Sequence, residues 1–173
     1  MAKPNILLRA KRKKALESFQ AKRYDEALAL FQNICQADRM DADARMSCGA
    51  IAGLRGDHAQ AEAYCRQALA IDPSMPGAHL NLGIALRNQG KFAEACQSFK
   101  RATGLKAAYG EAMDALAHAY ISLYDWPAAA RTLNEFIAIW PNKAEVHGNL
   151  GSVYQAMGRM QDAIAAYDAA LKI

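Results

Sequence analysis

Apolar side chains recur along this chain at spacings of three and four, and a longer period is laid over them. Leu82 and Leu86 are followed by Ala95, Phe99 and Ala102, the spacing of residues that share one face of a helix. The set returns every 34 residues, as Ala27, Ala61, Ala95, Ala129 and Ala163 show. Four positions beyond each come Phe31, Cys65, Phe99, Leu133 and Tyr167, and three further on Ile34, Ala68, Ala102, Phe136 and Ala170. Five units therefore share one register: 8–41, 42–75, 76–109, 110–143 and 144–173. Polar breaks such as "LRGDH", "NQGKF", "LYDWP" and "AMGRM" divide each unit into two apolar runs. Each unit is predicted to be a helix, a tight turn and a second helix.

Punctuation inside the units agrees. Pro127 would fall in the first turn of a helix, where its missing N–H costs nothing. Pro73 and Pro141, in "DPSM" and "WPNK", stop helix propagation where second helices should end. Ala15, Gly49, Gly83, Ala117 and Gly151 occupy one mid-helix position. Glycine there costs roughly 0.5–1 kcal/mol relative to alanine, so close approach of the partner helix, opposite the repeated alanines, is expected to offset it. "HLNLG" at 79–83 and "HGNLG" at 147–151 repeat more than this.

The small-Leu-Gly/Ala pattern, the alanine twelve residues after the glycine, the large residue four beyond it and the late proline resemble the tetratricopeptide repeat. The resemblance covers residues 8–173 and implies an all-α fold, a right-handed superhelical solenoid of five tandem helix-turn-helix repeats. A single two-helix unit cannot bury its apolar face, whereas stacked units share a continuous core. The resemblance further implies that His79 and His147 fill a packing slot between the two helices of a unit, that the first helices line a concave groove and that the groove binds a protein or peptide.

Composition narrows the setting. The 173 residues are 53% apolar, yet no uninterrupted apolar stretch approaches the length needed to span a bilayer. The "ILL" near the start is too short for a signal peptide, so the chain reads as cytoplasmic. Of the 21 basic and 17 acidic side chains, eight basic residues and Glu17 alone fall within residues 1–23. Residues 1–7 read as a basic arm, and the first helix pair is expected to pack least well because Lys11 and Lys14 replace apolar residues. A charge confined to one end is no nucleic-acid surface, and none is predicted as a partner.

Candidate chemistry is sparse. Cys48 and Cys65 stand where other copies carry large apolar residues, so they read as buried, reduced thiols; a disulfide between them, on facing helices of one unit, is the minor alternative. No C-x-x-C pair has zinc spacing. His58 is placed in an inter-helix turn. His118 lies one helical turn after Asp114, a pairing that could orient an imidazole, but no nucleophile is predicted beside it. No phosphate-binding or zinc-protease motif occurs. The pattern predicts neither an enzyme nor a cofactor.

The groove is the expected working surface. Family geometry implies that Met46, Leu54, Leu80, Asn81, Ile84, Arg87, Asn88, His118, Ile121, Asn149 and Gln155 face it. Apolar side chains beside amides suit an extended or helical peptide. The phrases containing Asn81 and Asn149 are similar to repeats of protein O-linked N-acetylglucosamine transferases, in which such asparagines form a ladder; Ser47 and Ala115 interrupt it here. That likeness leaves two further readings, the substrate-presenting region of a larger transferase and a self-assembling scaffold. The slots of a chaperone-binding carboxylate clamp hold Arg12, Leu16, Ser47, Gly77 and Asn81, so that clamp is absent. The last helix carries Ile164, Tyr167, Leu171 and Ile173 on faces that a sixth unit would cover. Further residues are expected beyond Ile173, and a homodimer through the C-terminal repeat is the predicted association.

Overall fold

In a computed structural model that describes residues 6–173, ten α-helices follow one another with no strand among the described residues. They are α1 (Ile6–Gln20), α2 (Tyr24–Ala37), α3 (Ala42–Leu54), α4 (His58–Ile71), α5 (Pro76–Asn88), α6 (Phe92–Leu105), α7 (Gly110–Ser122), α8 (Trp126–Ile139), α9 (Ala144–Ala156) and α10 (Met160–Leu171). Each repeat contributes one pair. α1 begins at Ile6, two residues ahead of the first unit, and residues 1–5 of the basic arm lie outside the described residues. His58, expected in a turn, opens α4 instead, because the Asp57 carboxylate before it caps that helix by accepting from Gln60 N at 2.9 Å.

The turns show why the period is strict. In the turn between the two helices of each repeat one residue adopts the left-handed backbone: Lys22, Gly56, Gly90, Tyr124 and Gly158, with φ between +58° and +81°. These five are spaced 34 apart. Glycine takes that conformation freely, whereas Lys22 and Tyr124 are strained by it. The helix after the turn starts two residues later, with its N-cap between. Asp125 caps α8 there, accepting from Ala128 N at 3.2 Å, and Pro127 stands in the first turn as expected.

The chain divides into two compact units, Met1–Gln89 and Gly90–Ile173. In the first, Ala15, Ala27, Leu28, Phe31, Ile34, Ala44, Cys48 and Ile51 form one buried cluster, to which α1 gives Ala15 alone, with Leu8 and Phe19 packed against it. In the second, Phe99 of α6, Leu116 and Tyr120 of α7, Leu133 and Phe136 of α8, and Val146, Leu150 and Val153 of α9 are buried. The repeat glycines mark close crossings, but the alanine series is not the main contact. A Cβ on Gly49 would stand 2.7 Å from Cys65 Sγ and 3.3 Å from the Ala61 carbonyl; one on Gly151 would stand 2.6 Å from the Tyr167 ring. The large residue four positions after the alanine takes the space that the glycine vacates.

The recurring histidines also do something other than fill a slot. His79 Nε2 lies 3.0 Å from the Pro73 carbonyl oxygen, and His147 Nε2 lies 2.8 Å from that of Pro141. Each ring ties the start of a repeat to the loop that precedes it. Arg45, at the same repeat position, donates to the Asp41 carbonyl at 3.3 Å. Both imidazoles stay half-buried, which a packing slot would not require.

Candidate functional site

The first helices of the second and third repeats, α3 and α5, border a cavity of about 450 Å³ in the first unit. Its lining is Gly49, Ala50, Gly53 and Leu54 from α3, with Asn81, Ile84, Ala85 and Asn88 from α5. Leu54, Asn81, Ile84 and Asn88, expected at the groove from the sequence, thus converge on one concavity. The reason is helical pitch: 81, 84 and 88 form an i, i+3, i+7 stripe. On α3 the facing positions are small, which gives the cavity its depth.

Leu80 is a correction. It is 4% exposed and cannot present itself to a ligand. One residue turns a helix by about 100°, which carries Leu80 off the open stripe; Ala78, Leu82, Ala85 and Leu86, also buried, lie on the opposite side, so α5 is covered on more than one face. Met46 is half-buried and reaches across to α5, its Sδ 3.2 Å from where a Cβ on Gly77 would stand. It closes space between the helices instead of lining the cavity. Arg87 is half-buried outside the lining. Gln89, which the sequence did not single out, donates from Nε2 to the His58 carbonyl at 3.1 Å and to Glu62 Oε2 at 2.9 Å. That fork fastens the end of α5 to α4 and holds the cavity wall.

The corresponding positions in the second unit are engaged with one another. Asn149 Nδ2 lies 3.5 Å from His118 Nε2, and Asp114 Oδ1 lies 3.6 Å from the same nitrogen. Ser122, the one serine of α7, donates to the His118 backbone carbonyl at 3.0 Å, so it is not set up as a nucleophile activated by the imidazole. Ile121 is half-buried. Gln155 accepts from the Tyr167 hydroxyl at 3.1 Å, and Ser152 Oγ lies 3.1 Å from that hydroxyl.

Those bonds correct the reading of Tyr167 as an outward contact residue. Its ring lies over Gly151 and its hydroxyl is spent on α9. Ile164 and Leu171, by contrast, are 55% and 86% exposed.

Cys48 and Cys65 are both buried, as expected. The Cys48 thiol neighbours that of Cys35 on α2. Cys65 lies against Gly49, and burial pushes its thiol up to about 12. All four cysteines are free. Among the described residues no group of three metal-ligating side chains occurs, and no helix is long and apolar enough to cross a membrane.

Residues 12–173 match the family model of the middle TPR-like domain of cilia and flagella-associated protein 70. The chain belongs to that family. Solved structures share its fold. A crystal structure of MamA superposes with a TM-score of 0.87 at 20% identity, covering 91% of this chain and 92% of that one. MamA AMB-1 gives 0.85 at 21% identity, covering 98% and 92%. MamA MSR-1 gives 0.83 at 19% identity, covering 97% of each. At such identities the likeness shows the fold alone. It is an all-α helical-repeat fold of the tetratricopeptide kind, as the 34-residue period predicts.

Proposed function

We propose that the chain is a non-catalytic protein-binding scaffold that holds an extended peptide in the groove between α3 and α5. The observation that carries this reading is the cavity itself, where Leu54 and Ile84 stand beside the amides of Asn81 and Asn88. Apolar side chains desolvate a ligand, and an amide can both donate to and accept from a peptide backbone without reading its side chains. A role in presenting substrate to a transferase draws support from Asn81 but less from Asn149, whose amide is engaged by His118. Four free thiols fit a reducing, cytoplasmic setting.

The test is to pan a random peptide library against the whole chain and to measure the selected peptides by titration. Leu54→Asp and Asn88→Ala both change exposed residues, so the fold should survive them. The first should weaken binding at least tenfold and the second severalfold. Ile164→Asp, in the other unit, should change nothing. Unchanged affinity in Leu54→Asp, with helicity intact by circular dichroism, would overturn the groove as the site.

A second reading, association of two copies through α10, rests on the exposure of Ile164 and Leu171. Exposed apolar patches tend to find partners. Sedimentation across a hundredfold concentration range should then show a dimer that Leu171→Glu dissolves; a monomer throughout would reject this reading.

A further inference from the structure

A notch on another side of the first unit holds chemistry that the groove does not use. Cys35, near the end of α2, is half-buried and lines a cavity of about 540 Å³ with Gln32, Gln36, Arg39, Arg45 and Tyr64. Cys48, on α3, has no exposed surface and belongs to the buried cluster against which Cys35 packs. The Cys48 thiol neighbours that of Cys35 and is the foremost influence on its ionisation. One sulfur therefore meets solvent and the other backs it from the core. Packing alone does not call for this pair. The position of Cys48 is filled by Leu82, Leu116 and Leu150 in later repeats, and that of Cys35 by Leu69, Thr103 and Ile137.

We propose that Cys35 and Cys48 form a redox-active dithiol, with Cys35 the site oxidised by a hydroperoxide and Cys48 the thiol that resolves it into a disulfide joining α2 to α3.

The surroundings suit those two roles. The Cys48 thiol holds that of Cys35 below its ordinary value, with Arg45 assisting and burial and Asp41 opposing. The neighbouring sulfur and burial push Cys48 up, so it stays protonated. Arg12 of α1 pairs with the carboxylate of Asp41, the N-cap of α3, moderating the negative charge that opposes ionisation of Cys35. Arg39 stands on the rim, and Tyr64 of α4 closes the far side, its hydroxyl accepting from Gln32 at 2.9 Å. The thiolate is the nucleophilic form of cysteine, and cationic surroundings favour it.

The chemistry balances in two steps. The Cys35 thiolate attacks the distal peroxide oxygen. An S–O bond forms, the O–O bond breaks, sulfur is oxidised, and the departing alkoxide or hydroxide takes a proton from solvent. The Cys48 sulfur then attacks the sulfenic sulfur; an S–S bond forms, the S–O bond breaks, and the Cys48 proton leaves with the hydroxide as water. Cys65 and Cys96 serve as internal comparisons, since burial raises both and neither has a sulfur partner.

To test this, the reduced full chain is treated with equimolar hydrogen peroxide and digested without reductant. Mass spectrometry should find a peptide pair linking Cys35 to Cys48, lighter by two hydrogens and separated by dithiothreitol. Cys35 should be consumed at least tenfold faster than Cys65 or Cys96. In Cys48→Ser the sulfenic acid should persist on Cys35 and be trapped by dimedone; in Cys35→Ser no peroxide-dependent link should form. Should Cys48→Ser fail to fold, the wild-type arm decides. Oxidation of Cys35 no faster than that of Cys65 and Cys96, or a wild-type chain in which Cys35 does not link to Cys48, would overturn the proposal.

Discussion

Asn81 and Asn149 stand 68 residues apart at one repeat position and do not have the same freedom. In the first unit the residue 31 positions before Asn81 is Ala50, and the amide opens on a cavity. In the second unit the residue 31 positions before Asn149 is His118, and the amide faces its imidazole. The same contrast runs along the helices. Gly49, Gly53 and Ala50 leave space in one unit, while Ser152, Gln155 and Tyr167 fill theirs with hydrogen bonds in the other. In a repeat protein, then, whether a groove side chain is available is decided on the preceding helix, not at its own position.

The largest effect should come from the glycine crossings. Gly151→Ala drives a Cβ into a ring whose hydroxyl is anchored at Gln155, so chemical unfolding should show a loss of about 1–3 kcal/mol. Gly49→Ala should lose less, because Cys65 Sγ can swing aside. Gly148→Ala, on the same helix as Gly151 with open space around it, should instead gain roughly 0.5–1 kcal/mol. Equal losses at Gly49 and Gly151 would erase this difference between the units.

Alkali should separate them next. The Cys65 thiol is held protonated up to about pH 12, while an unfolded chain releases that proton near the ordinary value of 9.0. The unfolded state then binds fewer protons, so stability is full below pH 9 and declines above it, by about 1.4 kcal/mol per pH unit. The counterpart in the second unit is Leu133, which has no proton to lose. Urea titrations at pH 8 and pH 10.5 should show a smaller decline in Cys65→Ala than in the wild type.

Exchanging the upstream residues should trade the two environments. Ala50→His is expected to engage Asn81 and to weaken any peptide held in the first unit about fivefold, by calorimetry. His118→Ala should free Asn149 and cost about 0.5–1.5 kcal/mol, the ordinary net worth of a hydrogen bond. The smallest effect should appear at the turns, where Lys22→Gly relieves a left-handed backbone at φ +58° and should raise stability by roughly 1 kcal/mol. Gly56→Lys should lose about as much.

The helix count and the pairing were legible because a 34-residue period leaves few alternatives once each unit contains a turn and two apolar runs. Leu54, Asn81, Ile84 and Asn88 were legible for the same reason, being phase positions on individual helices. Leu80 was not, since a helix flanked on several sides hides residues only 100° from its open stripe. The engagement of Asn149 by His118, the fold-back of Tyr167 and the pairing of Cys35 with Cys48 each depend on the relative rotation of two helices. One-dimensional spacing does not encode that rotation. Gly151 and Tyr167 did carry a signal, a vacancy and a bulky ring at matched positions, but only the crossing geometry joins them.

The imidazole bonds at His79 and His147 bear on how such a chain can be recombined. Each bond spans a border between consecutive 34-residue units, from the loop at Pro73 or Pro141 to the helix beyond. A chimera spliced at that border inherits the ring from one parent and the acceptor loop from another, and the joint forfeits its fastening unless both parents match. A crossover placed at Gly56 or Gly158 spares that fastening and cuts a tight turn whose geometry any glycine reproduces, asking instead that the parents match at Gly49 and Cys65 or at Gly151 and Tyr167. The transferable cassette of this protein therefore runs from turn to turn, half a repeat out of step with the period its sequence displays.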